Sequence, residues 1–252
     1  MAEMPILLLT RPRAQSERFA AGLTGCLAGL PRIHSPLLDI APLPLTVDPA
    51  PFATLIFTSE NGVTSFAAQS DLRDATAWCV GPRTAAAAAE AGFAVRSAEA
   101  EGGNAEALIG ALRAAGPATP LLHLRGAHAV TDLAGRLTAE GLACDEAVVY
   151  AQRERPPTPE ALAVLAGTVP VLVPLFSPRS ARLAAQAVRA ARRDGPGAPL
   201  HAVAISEAAA RQWRTGCAGD DARVIVAASP DARGMTEDLG GLCRELAGRL
   251  QT

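Results

Sequence analysis

The chain has 252 residues, of which 49% are hydrophobic and 19% charged, and its formal net charge at pH 7 is −2. This composition is typical of a folded protein of one or two domains with ample apolar material for a core, and it excludes a disordered chain. Because the charge is nearly balanced and no basic tract is present, a nucleic-acid-binding or anionic-membrane-binding protein is not expected.

Short apolar runs alternate with helical patterns in the first part of the chain. Ile6–Leu9 predicts a strand, which is followed by a helix from Ala14 to Leu30. The proline-rich segment Leu37–Pro51 predicts an extended crossing rather than a core element. The further predicted strands are Arg32–His34, Leu55–Phe57, Ala77–Val80, Phe93–Arg96, Leu121–Leu124 and a last one ending at Tyr150, with a loop at Gly102-Gly103.

The second part of the chain repeats this order of signals. Strands are predicted at Val171–Leu175, Ala202–Ile205 and Val224–Ala227, each turning into a helix, the last from about Arg233 to Leu250. Leu55–Asn61 resembles Leu172–Pro178 at a separation of about 120 residues, which is typical of a duplicated domain rather than a solenoid repeat. Alternating strands and helices predict parallel sheets covered on both faces. We therefore expect an α/β fold of two similar doubly wound parallel-sheet domains joined by a two-segment linker.

The domain boundaries follow from the two places where the chain crosses between these units. We expect residues 1–36 and 152–252 to form one discontinuous domain and residues 37–151 to form the other. The linkers are predicted near 37–51 and 150–159, where proline-rich or charged sequence follows a strand.

The chain contains no lysine, so all 23 of its lysine-or-arginine positions are arginines. Without lysine the protein has no side-chain Schiff base for a carbonyl substrate or pyridoxal phosphate, and no P-loop lysine. The five cysteines contain no C-x-x-C pair, so reduced thiols are expected. The N-terminal sequence has neither a basic leader region nor a long apolar stretch, which predicts a cytoplasmic location.

The turns that follow the predicted strands carry helix-capping sequences. These are Thr58-Ser59, Gly81-Pro82, Ser177-Pro178 and Ser229-Pro230. Each helix start offers free N–H groups and a partial positive charge, and ligands of such sheets bind at the carboxyl ends of the strands. Arginines stand in the same turns, namely Arg11, Arg13, Arg83, Arg125 and Arg179. The combination predicts a site for a ligand that carries several separated anionic groups.

Several other kinds of site lack their residues. No G-x-G-x-x-G, G-x-S-x-G or H-E-x-x-H motif occurs, which argues against a dinucleotide site, a hydrolase nucleophile elbow and a zincin site. The four histidines show no ligand spacing, so no metal site is predicted. His123, inside Leu121–Leu124, is interpreted as a satisfied core or edge residue.

The order of these motifs resembles the uroporphyrinogen-III synthase family over nearly the whole chain. The matching segments are Leu8-Leu9-Thr10-Arg11-Pro12, Ile56-Phe57-Thr58-Ser59, Val80-Gly81-Pro82-Arg83-Thr84-Ala85, Gly103-Asn104-Ala105-Glu106-Ala107-Leu108, Val148-Val149-Tyr150 and Phe176-Ser177-Pro178. The resemblance implies two α/β domains and a reaction that closes linear hydroxymethylbilane into uroporphyrinogen III, with loss of water and inversion of ring D. It also implies that no cofactor is used.

The resemblance further implies which residues contact the substrate, a linear tetrapyrrole with eight carboxylates. Tyr150, the only tyrosine of the chain, is the candidate catalytic residue, as a hydrogen-bond donor to the departing hydroxyl. By the same resemblance Thr84 and Ser177 are candidate substrate-binding residues. Arg11, Thr58, Ser59, Arg83, Arg125, Gly126 and Ser206 are further candidates because they stand in the turns that follow the predicted strands. One departure is that Ser206-Glu207-Ala208-Ala209-Ala210 replaces a family segment with two hydroxyls, and it adds a carboxylate.

Two alternatives stay open at this point. A non-catalytic two-domain protein that binds or senses an anionic metabolite would share the same turns, and so would a structural partner protein. Glu207 either turns into the first turn of its helix or marks a diverged relative. The expected state is a monomer that binds a small molecule, with no nucleic-acid or membrane partner.

Overall fold

The computed structural model describes residues 4–98, 104–128, 131–193, 195–217 and 222–249. Gly102 and Gly103 of the predicted loop, and the predicted helix end Leu250, lie outside the described residues. Within the described ranges, no helix has the length and apolar character needed to cross a membrane.

Strands and helices alternate through most of the described chain. The strands are β1 (Ile6–Leu9), β2 (Arg32–His34), β3 (Leu38–Pro42), β4 (Thr54–Phe57), β5 (Thr76–Cys79), β6 (Ala94–Ser97), β7 (Leu121–Gly126), β8 (Cys144–Glu154), β9 (Val171–Leu175), β10 (Leu200–Ala204) and β11 (Ala222–Val226). The helices are α1 (Arg13–Ala21), α2 (Glu60–Ala67), α3 (Pro82–Glu90), α4 (Ala105–Ala115), α5 (Leu133–Ala139), α6 (Pro159–Ala166), α7 (Pro178–Ala191), α8 (Glu207–Gly216) and α9 (Ala232–Arg249), with a 3₁₀ turn at Gly25–Leu27.

The chain divides into two compact units. Unit 1 takes the chain up to Asp39 and again from Glu154 onward, whereas unit 2 takes Ile40–Arg153. The sheet of unit 1 has the strand order β11-β10-β9-β1-β2, and the other sheet has the order β3-β8-β7-β4-β5-β6. All the strand pairs of unit 1 are parallel, as are the pairs from β8 to β6 in the other sheet.

The two sheets share one topology in circularly permuted form. Reading from one edge, β6-β5-β4-β7-β8 corresponds to β11-β10-β9-β1-β2. In the chain, however, β7 and β8 follow β4–β6, whereas the equivalent β1 and β2 come before β9–β11. Each sheet therefore has a point where the strand order reverses, between β4 and β7 in unit 2 and between β9 and β1 in unit 1.

Both faces of each sheet are buried, which explains the continuous apolar runs of the strands. In β1, Leu8 packs into the cluster that contains Val173 and Trp213, whereas Leu7 and Leu9 pack into the cluster on the opposite face. In β4, Leu55 and Phe57 likewise face one cluster of unit 2, and Ile56 faces another.

The structure corrects two of the predicted elements in the first part of the chain. The helix predicted over Ala14–Leu30 ends at Ala21, with Gly22 as its C-cap, and a separate 3₁₀ turn begins at Gly25, which has a φ of +60°. The segment Leu37–Pro51 is not merely a crossing: it begins with the buried Leu37 and contains β3. Backbone hydrogen bonds from Leu43 N to Val149 O and from Arg155 N to Leu37 O hold it antiparallel to β8.

Three further differences concern the later elements. The last strand of the first part continues beyond Tyr150 to Glu154, and α6 was not predicted. The N-terminus of α9 is capped by Asp231 rather than by Ser229-Pro230. The Oδ1 atom of Asp231 accepts hydrogen bonds from Gly234 N at 2.8 Å and from Ser229 Oγ at 3.0 Å.

Candidate functional site

The reversal of strand order marks where each unit can bind a ligand. In open α/β sheets the two helices beside such a point lie on opposite faces, which leaves a crevice outside the carboxyl ends of the strands. In unit 2 this position is shared by the residues after β4 and β7, and in unit 1 by those after β9 and β1. Six of the nine predicted substrate-binding residues lie at the end of one of these four strands or directly after it.

In unit 2, Thr58 and Ser59 connect β4 to α2. The Ser59 side chain caps the helix by accepting a hydrogen bond from Asn61 N at 3.1 Å. Gly62 in the first turn lies against β7, because a β-carbon there would stand 2.9 Å from the Leu124 carbonyl oxygen. This close approach fixes the N-terminus of α2 against the end of the neighbouring strand.

The ring of Tyr150 packs against the α-carbon of Gly126. The pairing of β7 with β8 shifts between Arg125 and Gly126, so that Gly126 is opposite Tyr150 and Val149 is passed over. The backbone bond from Ala127 N to Tyr150 O, 2.8 Å long, continues the pairing past the end of β7. The irregularity brings the phenol to the carboxyl end of β7.

Arg125 makes a bidentate ion pair with Glu146 of β8. Its Nε lies 2.9 Å from Oε2 and its Nη2 lies 2.5 Å from Oε1, while Nη1 donates to Gly126 O at 3.0 Å. The hydrogen bond with Arg125 holds the pKa of the Glu146 carboxyl below its usual value. The guanidinium of Arg125 is therefore already occupied by an acid of its own unit, which no pattern in the sequence indicated.

His123, on β7, is buried, with only 2% of its surface exposed. Its Nε2 lies 3.4 Å from Thr58 Oγ1, and its Nδ1 has no hydrogen-bond partner among the described residues. Burial lowers the pKa of the imidazole to about 4, so the ring is neutral at pH 7. The interpretation of His123 as a satisfied core residue thus holds for only one of its two ring nitrogens.

The turn after β5 presents Arg83 and Thr84 at the start of α3. Gly81 occupies the N-cap position and Pro82 the first helical position, as the sequence predicted. Arg83 is exposed and Thr84 is buried. These residues stand one strand away from the reversal point, since β5 is the outer neighbour of β4.

In unit 1, Arg11 follows β1 and Phe176 follows the neighbouring β9. The Arg11 guanidinium carbon lies 4.2 Å from the centroid of the Phe176 ring, and Arg11 Nε donates to Gln15 Oε1 at 3.2 Å. Phe19 packs edge-on against the same ring at 4.9 Å between centroids. The aromatic pair therefore supports an arginine at the end of the strand.

Ser177 and Ser206 of unit 1 cap the helices that follow them, and the cap at Ser177 was predicted. Ser177 forms a capping box with Ser180 at the start of α7, and Ser206 Oγ accepts from Ala209 N at 3.3 Å at the start of α8. Glu207 lies in the first turn of α8, and its carboxylate is 2.7 Å from Nη1 of Arg214 two turns further along the helix. The added carboxylate is thus neutralised by its own helix.

The topology brings some of the predicted residues together and separates others. Thr58, Ser59 and Gly126 lie at adjacent strand ends of unit 2, with Tyr150 opposite Gly126 inside β8, and Arg11 and Ser177 lie at adjacent strand ends of unit 1. Arg83, Thr84 and Ser206 stand one strand further out. Phe176 and His123 were not predicted as site residues, although both directly contact predicted ones. No cluster of three histidine, cysteine, aspartate or glutamate side chains able to hold a metal ion occurs in the described part of the chain.

Comparisons with known proteins agree on one family. A model of the family uroporphyrinogen-III synthase HemD matches residues 26–237. The crystal structure of uroporphyrinogen-III synthetase from Helicobacter pylori is similar in fold, with a TM-score of 0.63 and 18% identity over 95% of this chain and 100% of that one. A mutant uroporphyrinogen III synthase from Thermus thermophilus aligns with a TM-score of 0.49 and 15% identity over 98% of this chain and 100% of that one. No curated protein sequence matches the chain.

Proposed function

Because the chain belongs to the uroporphyrinogen-III synthase family, and is therefore an enzyme of tetrapyrrole biosynthesis, we propose how its own residues perform the reaction. The enzyme closes linear hydroxymethylbilane into uroporphyrinogen III with loss of water and inversion of ring D. The observation that carries the proposal is the position of the Tyr150 phenol, which packs on Gly126 at the carboxyl end of β7.

Each unit offers hydrogen-bond donors for carboxylates of the substrate at its own strand ends. In unit 2 these are the hydroxyls of Thr58 and Ser59 and the N–H groups at the start of α2. Arg83 and Thr84 are the donors that follow the outer strand β5. In unit 1 the donors are Arg11, Ser177 and Ser206 with the helix starts that follow them. Gly126 leaves room for the phenol of Tyr150, and Arg125 binds a substrate carboxylate only when its ion pair with Glu146 opens. Such a distributed set of donors suits a ligand with eight separated anionic groups.

The chemistry starts when the hydroxyl of the substrate's hydroxymethyl group takes up a proton and leaves as water, while the carbon stays on the pyrrole. Tyr150 donates a hydrogen bond to the departing oxygen, the lone pair of the adjacent pyrrole nitrogen forms the azafulvenium electrophile, and the proton is returned when the rearranged ring regains its aromaticity. The substituted carbon of ring D then attacks this carbon to give a spiro intermediate, which rearranges to the type III product. Uncatalysed closure tends to give the uninverted type I isomer, so holding the chain in the productive fold is the enzyme's main task. Positioning of this kind can be worth about 7 to 11 kcal/mol.

The test is to incubate the purified protein with hydroxymethylbilane and to separate the type I and type III isomers. The proposal predicts that type III predominates and that its yield rises with enzyme concentration. A protein that binds the substrate but leaves the type I fraction of the uncatalysed reaction unchanged would refute the catalytic role.

We also propose that the enzyme is a cytoplasmic monomer whose two domains correspond to the two compact units. Among the described residues, the large hydrophobic side chains that are exposed are Met4, which precedes β1, and Val226, at the end of β11. The cysteines are free thiols, three of them buried, which suits a reducing compartment. Light scattering coupled to size exclusion tests the monomer, since a mass of two chains would contradict it.

A further inference from the structure

His123 is a buried polar residue in the middle of a strand whose other central residues are leucines. Its partners in the sheet register are Ile56 of β4 and Glu146 of β8. Because side chains alternate along a strand, His123 shares a face with Leu121, which packs into an apolar cluster. Burying an imidazole in such surroundings costs free energy unless its nitrogens make hydrogen bonds. The contact of His123 with Thr58 is therefore the interaction that offsets part of this cost.

The hydrogen-bond geometry identifies the ring tautomer. A neutral imidazole carries one N–H donor and one acceptor nitrogen. The Nδ1 atom of His123 is buried without a partner, whereas Nε2 lies 3.4 Å from Thr58 Oγ1. A buried N–H group without a partner is rarer than a buried acceptor without one. The proton therefore belongs on Nε2, which donates it to the oxygen of Thr58.

The surroundings keep the ring neutral. Burial is the largest influence on the pKa of His123 and lowers it; the nearby Arg125 lowers it too, whereas Glu146 and Asp132 raise it. Because Arg125 and Glu146 are paired with each other, their opposing influences on the ring largely cancel. The imidazole thus acts as a hydrogen-bond donor of fixed direction rather than as a charge.

We infer that His123 is a positioning residue of the substrate site, which holds the Thr58 oxygen through Nε2–H so that the Thr58 hydroxyl proton points outward to a substrate carboxylate. A hydroxyl has one proton and two lone pairs. When Thr58 Oγ1 accepts the Nε2–H bond from His123, the Thr58 hydroxyl proton is left to be donated to the ligand. The inference rests on the proposed function, because it needs Thr58 to contact the substrate.

The first test measures KM and kcat for hydroxymethylbilane in Thr58→Val, His123→Leu and the double variant, with His201→Leu on β10 as the control. Each single change is expected to raise KM about three- to tenfold with kcat nearly unchanged, since one hydrogen bond to a bound ligand is lost. The double variant should be no worse than the poorer single variant. If the increase of KM in the double variant equalled the product of the two single increases, the inference would be overturned. An unchanged KM in a folded His123→Leu protein would also overturn it.

The same variants separate this inference from the proposed function. If Thr58→Val leaves KM unchanged, the proposed contact of Thr58 with the substrate fails, and the inference fails with it. If Thr58→Val raises KM and His123→Leu does not, only the role of His123 is refuted.

A second measurement determines the tautomer in the wild-type protein itself. Nitrogen-15 NMR of the wild-type imidazoles distinguishes the two neutral tautomers, and the signal of His123 is assigned by its loss in His123→Gln. A proton on Nε2 at pH 7 supports the inference, whereas a proton on Nδ1, or a charged ring, would overturn it.

Discussion

The ring of Tyr150 lies so close to Gly126 that a β-carbon at residue 126 would stand 2.6 Å from the phenol Cζ and 2.9 Å from its Oη. Real β-carbons do not approach other atoms so closely. The pairing of β8 with β7 places Tyr150 directly opposite Gly126. The position of the phenol is therefore set by the absence of a side chain on the neighbouring strand.

Changing Gly126 to alanine should displace the phenol and lower both activity and stability. Forcing one methyl group into a packed site costs about 1 to 3 kcal/mol, which thermal unfolding would detect. Gly110→Ala in α4 is the matched control, because a β-carbon there meets nothing within 4 Å and alanine favours a helix. The account of Tyr150 would be wrong if Gly126→Ala kept wild-type turnover and melting temperature.

Removing only the hydroxyl, in Tyr150→Phe, should lower kcat at least about tenfold while the melting temperature hardly changes. The ring packing is kept and only the donor to the departing oxygen is lost; assistance by such a donor is typically worth about 10²- to 10⁴-fold. Some type III product should remain, because folding of the substrate does not need this hydroxyl. Full activity would make Tyr150 a packing residue, and a switch to type I product would make its role geometric.

Changing Arg83 to alanine should raise KM by less than about tenfold and leave the melting temperature unchanged. Arg83 is exposed, and the substrate's charge is spread over many donors, including backbone N–H groups that mutation cannot remove. The control is Arg113→Ala in α4, where an arginine pairs with Glu140 at 3.4 Å. Complete loss of activity in a folded Arg83→Ala protein would refute the distributed site.

Stability should fall as the pH is lowered from about 6.5 to about 4, in part because of His123. In the unfolded chain the imidazole gains a proton below its ordinary pKa of 6.5, whereas burial holds the folded pKa at about 4. The unfolded state thus binds more protons in this window, and the loss amounts to roughly 3 kcal/mol for this group. Arg125, Glu146 and Asp132, which also act on the ring, stay in place in a His123→Gln variant.

The measurement is denaturant unfolding at several pH values for wild type and His123→Gln. The difference between the two proteins isolates His123 from the carboxylates and from His34, whose pKa is lowered in the same direction. Parallel stability curves would contradict the low pKa of His123.

The sequence determined the local structure of most of this protein. Apolar runs of strand length, capping serines and prolines at first helical positions act within a few residues, so β1, β4 and the caps at Ser59 and Ser177 were predicted correctly. The fold class followed from their alternation, and the resemblance in the strand-end turns indicated the family that the comparisons established.

Only the tertiary structure decided which of these residues act together. Strand β3 forms because its backbone pairs with β8 more than a hundred residues later in the chain, a contact that no local pattern announces. The pairing of Arg125 with Glu146, the support of Arg11 by Phe176 and the contact of His123 with Thr58 each join neighbouring strands of a sheet. Periodicity shows that a strand exists and which residues share its face. Its neighbours and its register are set by packing across the whole sheet, and they placed Tyr150 over Gly126.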